Sequence, residues 1–135
     1  MIISLPVEDR RRSYAFYQDA FGFEPFGEPD EDGIPEPLQF VLAEGVNLML
    51  IPTDGFGWVL GDQPAAPPGT SECILSIHAD SEAAVDALAA RAIAAGAKEV
   101  TATTRKPWAY IATLTDPDGH LWMLEAQWAD AHPAD

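Results

Sequence analysis

Short apolar runs alternate with two helical patterns along the chain. Residues 1–7 are rich in Ile and Val, which predicts a strand that stops near Pro6. Asp9 is placed to cap a helix, and Gly22 is placed to end it in a left-handed conformation. The apolar residues at helical spacing between them are Tyr14, Tyr17 and Phe21. The run of arginines at 10–12 is interpreted as a solvated first turn.

Further strands follow at regular intervals. After an acidic loop rich in Pro and Gly, the runs LQFVLA (38–43) and VNLMLIP (46–52) predict a hairpin. SECILSIH (71–78) predicts a strand, and Asp80 or Ser81 then opens a helix that ends at Gly96. Three more strands are predicted in the remaining sequence, and an Asp-Pro-Asp-Gly turn joins the last two. They are KEVTATT (98–104), WAYIATL (108–114) and HLWMLEAQW (120–128).

The order of elements repeats. Residues 1–52 and 71–128 each read as strand, helix and three strands, while 53–70 carries too many Gly and Pro residues for a regular element. We interpret that segment as a functional loop or half of an interface, and 129–135 as a tail. A βαβββ unit is too small to cover both faces of its sheet. The prediction is an α+β domain of two βαβββ repeats, with a curved mixed sheet, helices outside and a concave cup.

Composition narrows the class of protein. The 135 residues are 47% hydrophobic, which supports one domain with a real core. A net charge of −15 disfavours nucleic acid and anionic membranes as partners. Cys73 is the one cysteine and is expected to face the helices, so the chain fits a reducing cytoplasm. We expect a cytosolic protein, because no apolar run reaches the roughly 18 residues of a membrane span and the N-terminus lacks the pattern of a signal peptide.

Three stretches carry a family resemblance. They are LPVEDRRRSYAFYQDAFGFEP (5–25), AIAAGAKEV (92–100) and TDPDGHLWMLEA (115–126). The chain resembles the vicinal oxygen chelate superfamily of glyoxalases, bleomycin resistance proteins and extradiol dioxygenases over residues 2–128. It is most similar to the branch called predicted lactoylglutathione lyase. The resemblance implies the cupped fold and a homodimer, and it leaves isomerase, oxygenase, thiol transferase and drug-binding functions open.

The resemblance also places four positions that hold the metal in metal-dependent relatives. They fall here on Ile2, Met49, Glu72 and Met123. Hard divalent ions need oxygen or imidazole donors, and a catalytic site generally needs about three of them. Because only one carboxylate remains, we expect neither metal nor cofactor. Glu125 lies on the same strand face as Met123 and is expected to point into the cup as well.

Other side chains are expected to line the cup without a metal. Glu72 and Glu125 are candidate catalytic bases or partners of a cationic group. Trp108 and Tyr110 share a strand face, and aromatic platforms of this kind bind planar ligands. His78 and His120 are interpreted as structural residues, and Trp122 as core. The complete predicted ligand-binding set is Ser4, Met49, Trp58, Glu72, Ser76, Trp108, Tyr110, Met123 and Glu125.

Three functions fit these residues. The first is a metal-independent, dimeric protein that binds a small molecule, either a cationic or an aromatic compound. The alternative is a lactoylglutathione lyase-like or other lyase or isomerase enzyme that uses a carboxylate base. The third is a dimeric module with no ligand of its own, in which flexible side chains such as Met49 and Met123 fill the cup.

Overall fold

The computed structural model describes residues 1–128. The predicted tail, with His132, lies outside the described residues. In chain order the elements are β1 (Ile2–Val7), α1 (Arg10–Phe21), β2 (Glu24–Pro25), β3 (Leu38–Ala43), β4 (Val46–Pro52), α2 (Thr53–Leu60), β5 (Leu75–His78), α3 (Glu82–Ala95), β6 (Lys98–Arg105), β7 (Tyr110–Thr115) and β8 (Leu121–Ala126). None of the helices within 1–128 is long and apolar enough to cross a membrane.

The strands form two four-stranded mixed sheets, with the orders β1-β4-β3-β2 and β5-β8-β7-β6. In each sheet the first strand pairs in parallel with the last one, and the other pairings are antiparallel. The two sheets therefore have the same βαβββ topology, which confirms the predicted repeat. The edge strands β1 and β5 belong to different sheets, so the predicted sheet is divided between the repeats.

Both long helices begin and end at the capping residues that the sequence predicts. The Asp9 carboxylate accepts the backbone N–H groups of Arg11 and Arg12, and Gly22 ends α1 at φ 67°. The Ser81 hydroxyl accepts the N–H of Ala84 at the start of α3. Gly96 ends that helix at φ 119°.

The segment between the repeats differs from the prediction. Residues 53–60 form α2, because Phe56 and Leu60 stand one helical turn apart and are both half-buried. Gly55 lies within this helix, and a Cβ there would make an ordinary van der Waals contact with Ile51 Cγ2 at 3.4 Å. The glycines that argued against a regular element are thus accommodated within it.

Strand β5 is shorter than predicted. It begins at Leu75 instead of Ser71, so Glu72 and Cys73 precede the strand and both are exposed. The expectation that Cys73 faces the helices was wrong, because side chains alternate between two faces only where the backbone is paired as a strand.

One hydrophobic core joins the two repeats. Its centre is a group of aromatic rings in which Tyr17 of α1 lies 5.7 Å from Trp122 of β8. Trp122 is 2% exposed, as expected for a core residue. The other rings of the group are Phe16, Phe21, Phe23 and Phe40.

A buried polar network crosses the same junction. Tyr17 Oη donates to Asp116 Oδ2 and accepts from Trp122 Nε1 at 3.0 Å. Burial raises the pKa of Asp116, and burial with the adjacent Asp116 charge raises the pKa of Tyr17. The His120 ring lies 2.6 Å from Pro6 O, so this histidine has the structural role that was predicted.

Candidate functional site

Strand alternation gives each sheet one face toward α1 or α3 and one face away from them. We call the second kind the cup faces. In the first sheet Ser4 is the register partner of Met49. The residues on either side of Met49 along β4, Leu48 and Leu50, are buried in the core, so Met49 points to the other face of the sheet. Ser4 and Met49 therefore lie on a cup face, as predicted.

The second sheet repeats this arrangement. Ser76 is the register partner of Met123, while Trp122 and Leu124 point into the core. Ser76 and Met123 thus occupy the second cup face, in positions equivalent to Ser4 and Met49.

The internal equivalence corrects the placement of Glu72. Ile2 lies two residues before Ser4 and seven before the helix cap Asp9. The residue with the same spacing to Ser76 and to the cap Ser81 is Ile74. Glu72, on which the resemblance placed the third position, lies two residues before Ile74 and is therefore not the equivalent of Ile2.

The side chains present do not fit a divalent metal. With Ile74 placed by its spacing to Ser76 and Ser81, the four positions are Ile2, Met49, Ile74 and Met123, and none offers an oxygen or imidazole donor. Within residues 1–128, no group of three or more His, Cys, Asp or Glu side chains is placed to hold a metal ion.

Glu125 lies on the second cup face, two residues beyond Met123. Its register partner is His78, the last residue of β5. Glu125 is half-buried and His78 is exposed, so a carboxylate and an imidazole stand on neighbouring strands at one end of this face. The Ala79 N–H donates to Glu125 O at 2.7 Å, which fixes the backbone between them.

The first cup face carries an amide pair that was not predicted. Asn47 Nδ2 donates to Gln39 Oε1 at 3.1 Å, and Gln39 is only 9% exposed. The available signal was one polar residue inside each of two apolar strands, LQFVLA and VNLMLIP. Such residues are costly to bury without a partner, which here each supplies to the other.

The predicted aromatic platforms are dispersed. Trp58 lies on α2 and is 85% exposed, whereas Trp108 lies in the turn between β6 and β7 and is 40% exposed. Tyr110 does not face the cup, because its hydroxyl donates to Asp86 of α3 at 2.7 Å. Its register partner Ala126 is buried, which places Tyr110 on the helix-facing side. The expectation that Trp108 and Tyr110 share a strand face was wrong because Trp108 precedes the strand.

Solved structures share this architecture. A glyoxalase-related enzyme from Fulvimarina pelagi is 23% identical, with a TM-score of 0.79 over 99% of this chain and 95% of that one. A glyoxalase/bleomycin resistance protein/dioxygenase family enzyme from Burkholderia phytofirmans PsJN is 20% identical, with a TM-score of 0.74 over 94% and 97%. TnmS3, an antibiotic binding protein from Streptomyces sp. CB03234, is 26% identical, with a TM-score of 0.65 over 94% and 93%.

Sequence comparison gives the family directly. No curated protein matches the chain significantly. The family model described as Glyoxalase/Bleomycin resistance protein/Dioxygenase superfamily matches residues 2–124. The match spans both βαβββ repeats and nearly all of the described residues. The chain therefore belongs to the Glyoxalase/Bleomycin resistance protein/Dioxygenase superfamily.

Proposed function

We propose that this chain is a metal-independent small-molecule-binding protein whose cup faces receive a cationic or aromatic compound. The observation that carries the proposal is the apolar chemistry at Ile2, Met49, Ile74 and Met123. Met side chains adapt to irregular ligands, and an apolar surface with a few polar groups is typical of small-molecule sites. Ser4, Ser76 and Glu125 supply such polar groups.

Two further observations support a binding role. TnmS3, which has the same fold, is described as an antibiotic binding protein. The net charge of −15 and the half-buried Glu125 favour a cationic compound over an anionic one. Trp58 and Trp108 are exposed indoles that add contact area if the ligand extends beyond the strands.

A homodimer is part of the proposal. Trp58 and Val59 of α2 are 85% and 65% exposed, which is unusual for neighbouring large apolar residues. Packing of a second copy against α2 would bury them beside the strands β1 and β4. The single cysteine, Cys73, is consistent with a reducing compartment, and we assign the protein to the cytoplasm on that basis.

Binding of a planar cation is expected to depend on Glu125. We expect Glu125→Gln to weaken binding of ethidium by about three- to fivefold, because the substitution removes one charge with little change in shape. Isothermal titration calorimetry measures the affinity. The matched control is Glu99→Gln, since Glu99 is exposed on β6 and pairs in register with the buried Leu114, hence on the opposite sheet face. Equal weakening by both variants, or stoichiometric metal in the purified protein, would contradict the proposal.

The pairing of His78 with Glu125 favours a second candidate, an isomerase or lyase of the lactoylglutathione lyase type. In that function one of the two side chains removes a proton from the substrate carbon, and general base catalysis contributes roughly 10²- to 10⁴-fold. We expect Glu125→Gln to reduce turnover of the methylglyoxal–glutathione hemithioacetal by about 10²-fold. Glu72→Gln should leave it unchanged, because Glu72 is exposed ahead of β5. Saturable ethidium binding without turnover would exclude this candidate.

A further inference from the structure

A cavity of about 370 Å³ lies between the two repeats. The first repeat lines the cavity with Ile3 of β1, Phe23 just before β2 and Leu42 of β3. Trp122 of β8 lines it from the second repeat. These side chains belong to, or pack against, the hydrophobic core. Voids in well-packed cores seldom exceed one water molecule, whereas small-molecule pockets occupy roughly 300–1,000 Å³. The cavity therefore has the size of a small ligand site.

Strand β5 borders the cavity along its edge. All four of its residues, Leu75–His78, line the cavity. Since consecutive side chains point to opposite faces of a sheet, four in a row can border one space only if that space lies beside the strand. β5 pairs with β8 on one side and is the edge strand of its sheet. The cavity is thus flanked by a strand edge whose backbone N–H and C=O groups are available for pairing.

Two aromatic rings form the apolar wall. Phe23 lies 5.6 Å from Trp122, with the ring planes inclined by 49°. The indole N–H of Trp122 already donates to Tyr17 Oη, and the side chain is only 2% exposed. Trp122 therefore contributes a small apolar area beside the half-buried ring of Phe23, which offers the larger contact surface.

We propose that this cavity is a second binding site, for a small molecule that joins an aromatic ring to a secondary amide. The ring contacts Phe23 and Trp122, while the amide N–H and C=O pair with the edge of β5, as an added strand would. Ser76 and His78 provide a polar rim beside the amide. Ile3 and Trp122 lie on the opposite strand faces from Ser4 and Met123, so the cavity lies behind the cup faces and shares with the second one only the rim residues Ser76 and His78.

The test uses N-methyl-3-phenylpropanamide, which has one aromatic ring and one secondary amide, as the probe and backbone amide NMR as the readout. Titration is expected to shift the amide signals of Leu75–His78 and the indole N–H of Trp122, in a saturable way. Methyl 3-phenylpropanoate has the same ring and chain length and lacks the amide N–H. We expect it to bind about three- to tenfold more weakly, the effect of one net hydrogen bond.

A pair of neighbouring variants separates this site from the cup. Leu42→Trp fills the cavity and is expected to weaken probe binding by about tenfold or more. Val41→Trp places the same side chain one residue away, at a position 38% exposed whose register partner Asn47 lies on the cup face, and should leave the affinity unchanged. Equal effects of the two variants, unshifted β5 amides, or equal affinity for amide and ester would each overturn the proposal. The amide and ester comparison needs no folded variant, and none of these outcomes depends on ethidium binding.

Discussion

Asp116→Ala is expected to lower the free energy of unfolding by about 4 kcal/mol, because it leaves three donors without their acceptor. Asp116 Oδ1 accepts the N–H groups of Asp118 at 3.0 Å and His120 at 2.8 Å, and Oδ2 accepts the Tyr17 hydroxyl. The carboxylate is 2% exposed, so water does not replace it. Urea unfolding followed by tryptophan fluorescence measures the change, since Trp122 reports on this junction.

The pH dependence of stability gives a sharper test of the same carboxylate. Burial raises the pKa of Asp116 in the folded protein above its value in the unfolded chain. A raised folded pKa contributes stability at low pH that is lost as the pH rises through that pKa. As the pH is lowered from 7 toward 4, the wild type should therefore gain stability relative to Asp116→Asn, which has no charge to titrate. A difference that stays constant, or that reverses in sign, would contradict the buried charge.

The sequence predicts those features of the fold whose hydrogen-bonding residues lie close together along the chain, and it misses those whose residues lie far apart. The residues that cap α1 and α3 form hydrogen bonds with backbone groups only a few residues away, so the ends of both helices were predicted from local patterns. These residues are Asp9, Gly22, Ser81 and Gly96. Tyr17 and Asp116 are 99 residues apart, and nothing near either residue identifies the other. The buried network that joins the repeats was missed for that reason.

The candidate site shows the same division. Alternation along VNLMLIP and HLWMLEA was enough to place Met49, Met123 and Glu125 on cup faces. The equivalence of Ile2 with Ile74, in contrast, depends on matching Ser4 to Ser76, and that match comes from the pairings of Ser4 with Met49 and of Ser76 with Met123. Sequence spacing alone did not show which face of the sheet Tyr110 occupies. Its hydrogen bond to Asp86 of α3 places it on the helix-facing side.

The arginine run at 10–12 was expected to be solvated, and for Arg10 this was wrong. Its side chain is 17% exposed, whereas that of Arg11 is 72% exposed. Arg10 Nη2 donates to the carbonyl oxygens of Ile34 at 3.2 Å and Pro35 at 2.6 Å. It thereby attaches the acidic loop before β3 to the first turn of α1.

Two carboxylates complete the surroundings of Arg10. Arg10 Nη1 donates to Asp32 Oδ2 at 3.0 Å, and Arg10 Nε lies 3.0 Å from Glu36 Oε2 as an ion-pair contact without hydrogen-bond geometry. The pKa of Asp32 is lowered first by the N–H of Ile34 and then by Arg10. The Glu36 side chain is 54% exposed, and ion pairs with solvent-exposed carboxylates add little stability, so the carbonyl contacts carry most of the effect.

Arg10→Ala is expected to lower the free energy of unfolding by about 2 kcal/mol, because two partly buried carbonyl oxygens lose a charged donor. Arg11→Ala is the matched control. It removes the same side chain from the next position, where the one ion pair spans 4.0 Å, and should change stability by less than about 0.5 kcal/mol. Both values come from urea unfolding at pH 7. Faster amide hydrogen exchange of Ile34 in Arg10→Ala, with that of Gly22 unchanged, would show that the loss lies in the loop attachment and not in α1. Equal destabilisation by the two variants would instead mean that the charge of the run, and not the carbonyl contacts of Arg10, stabilises this end of the molecule.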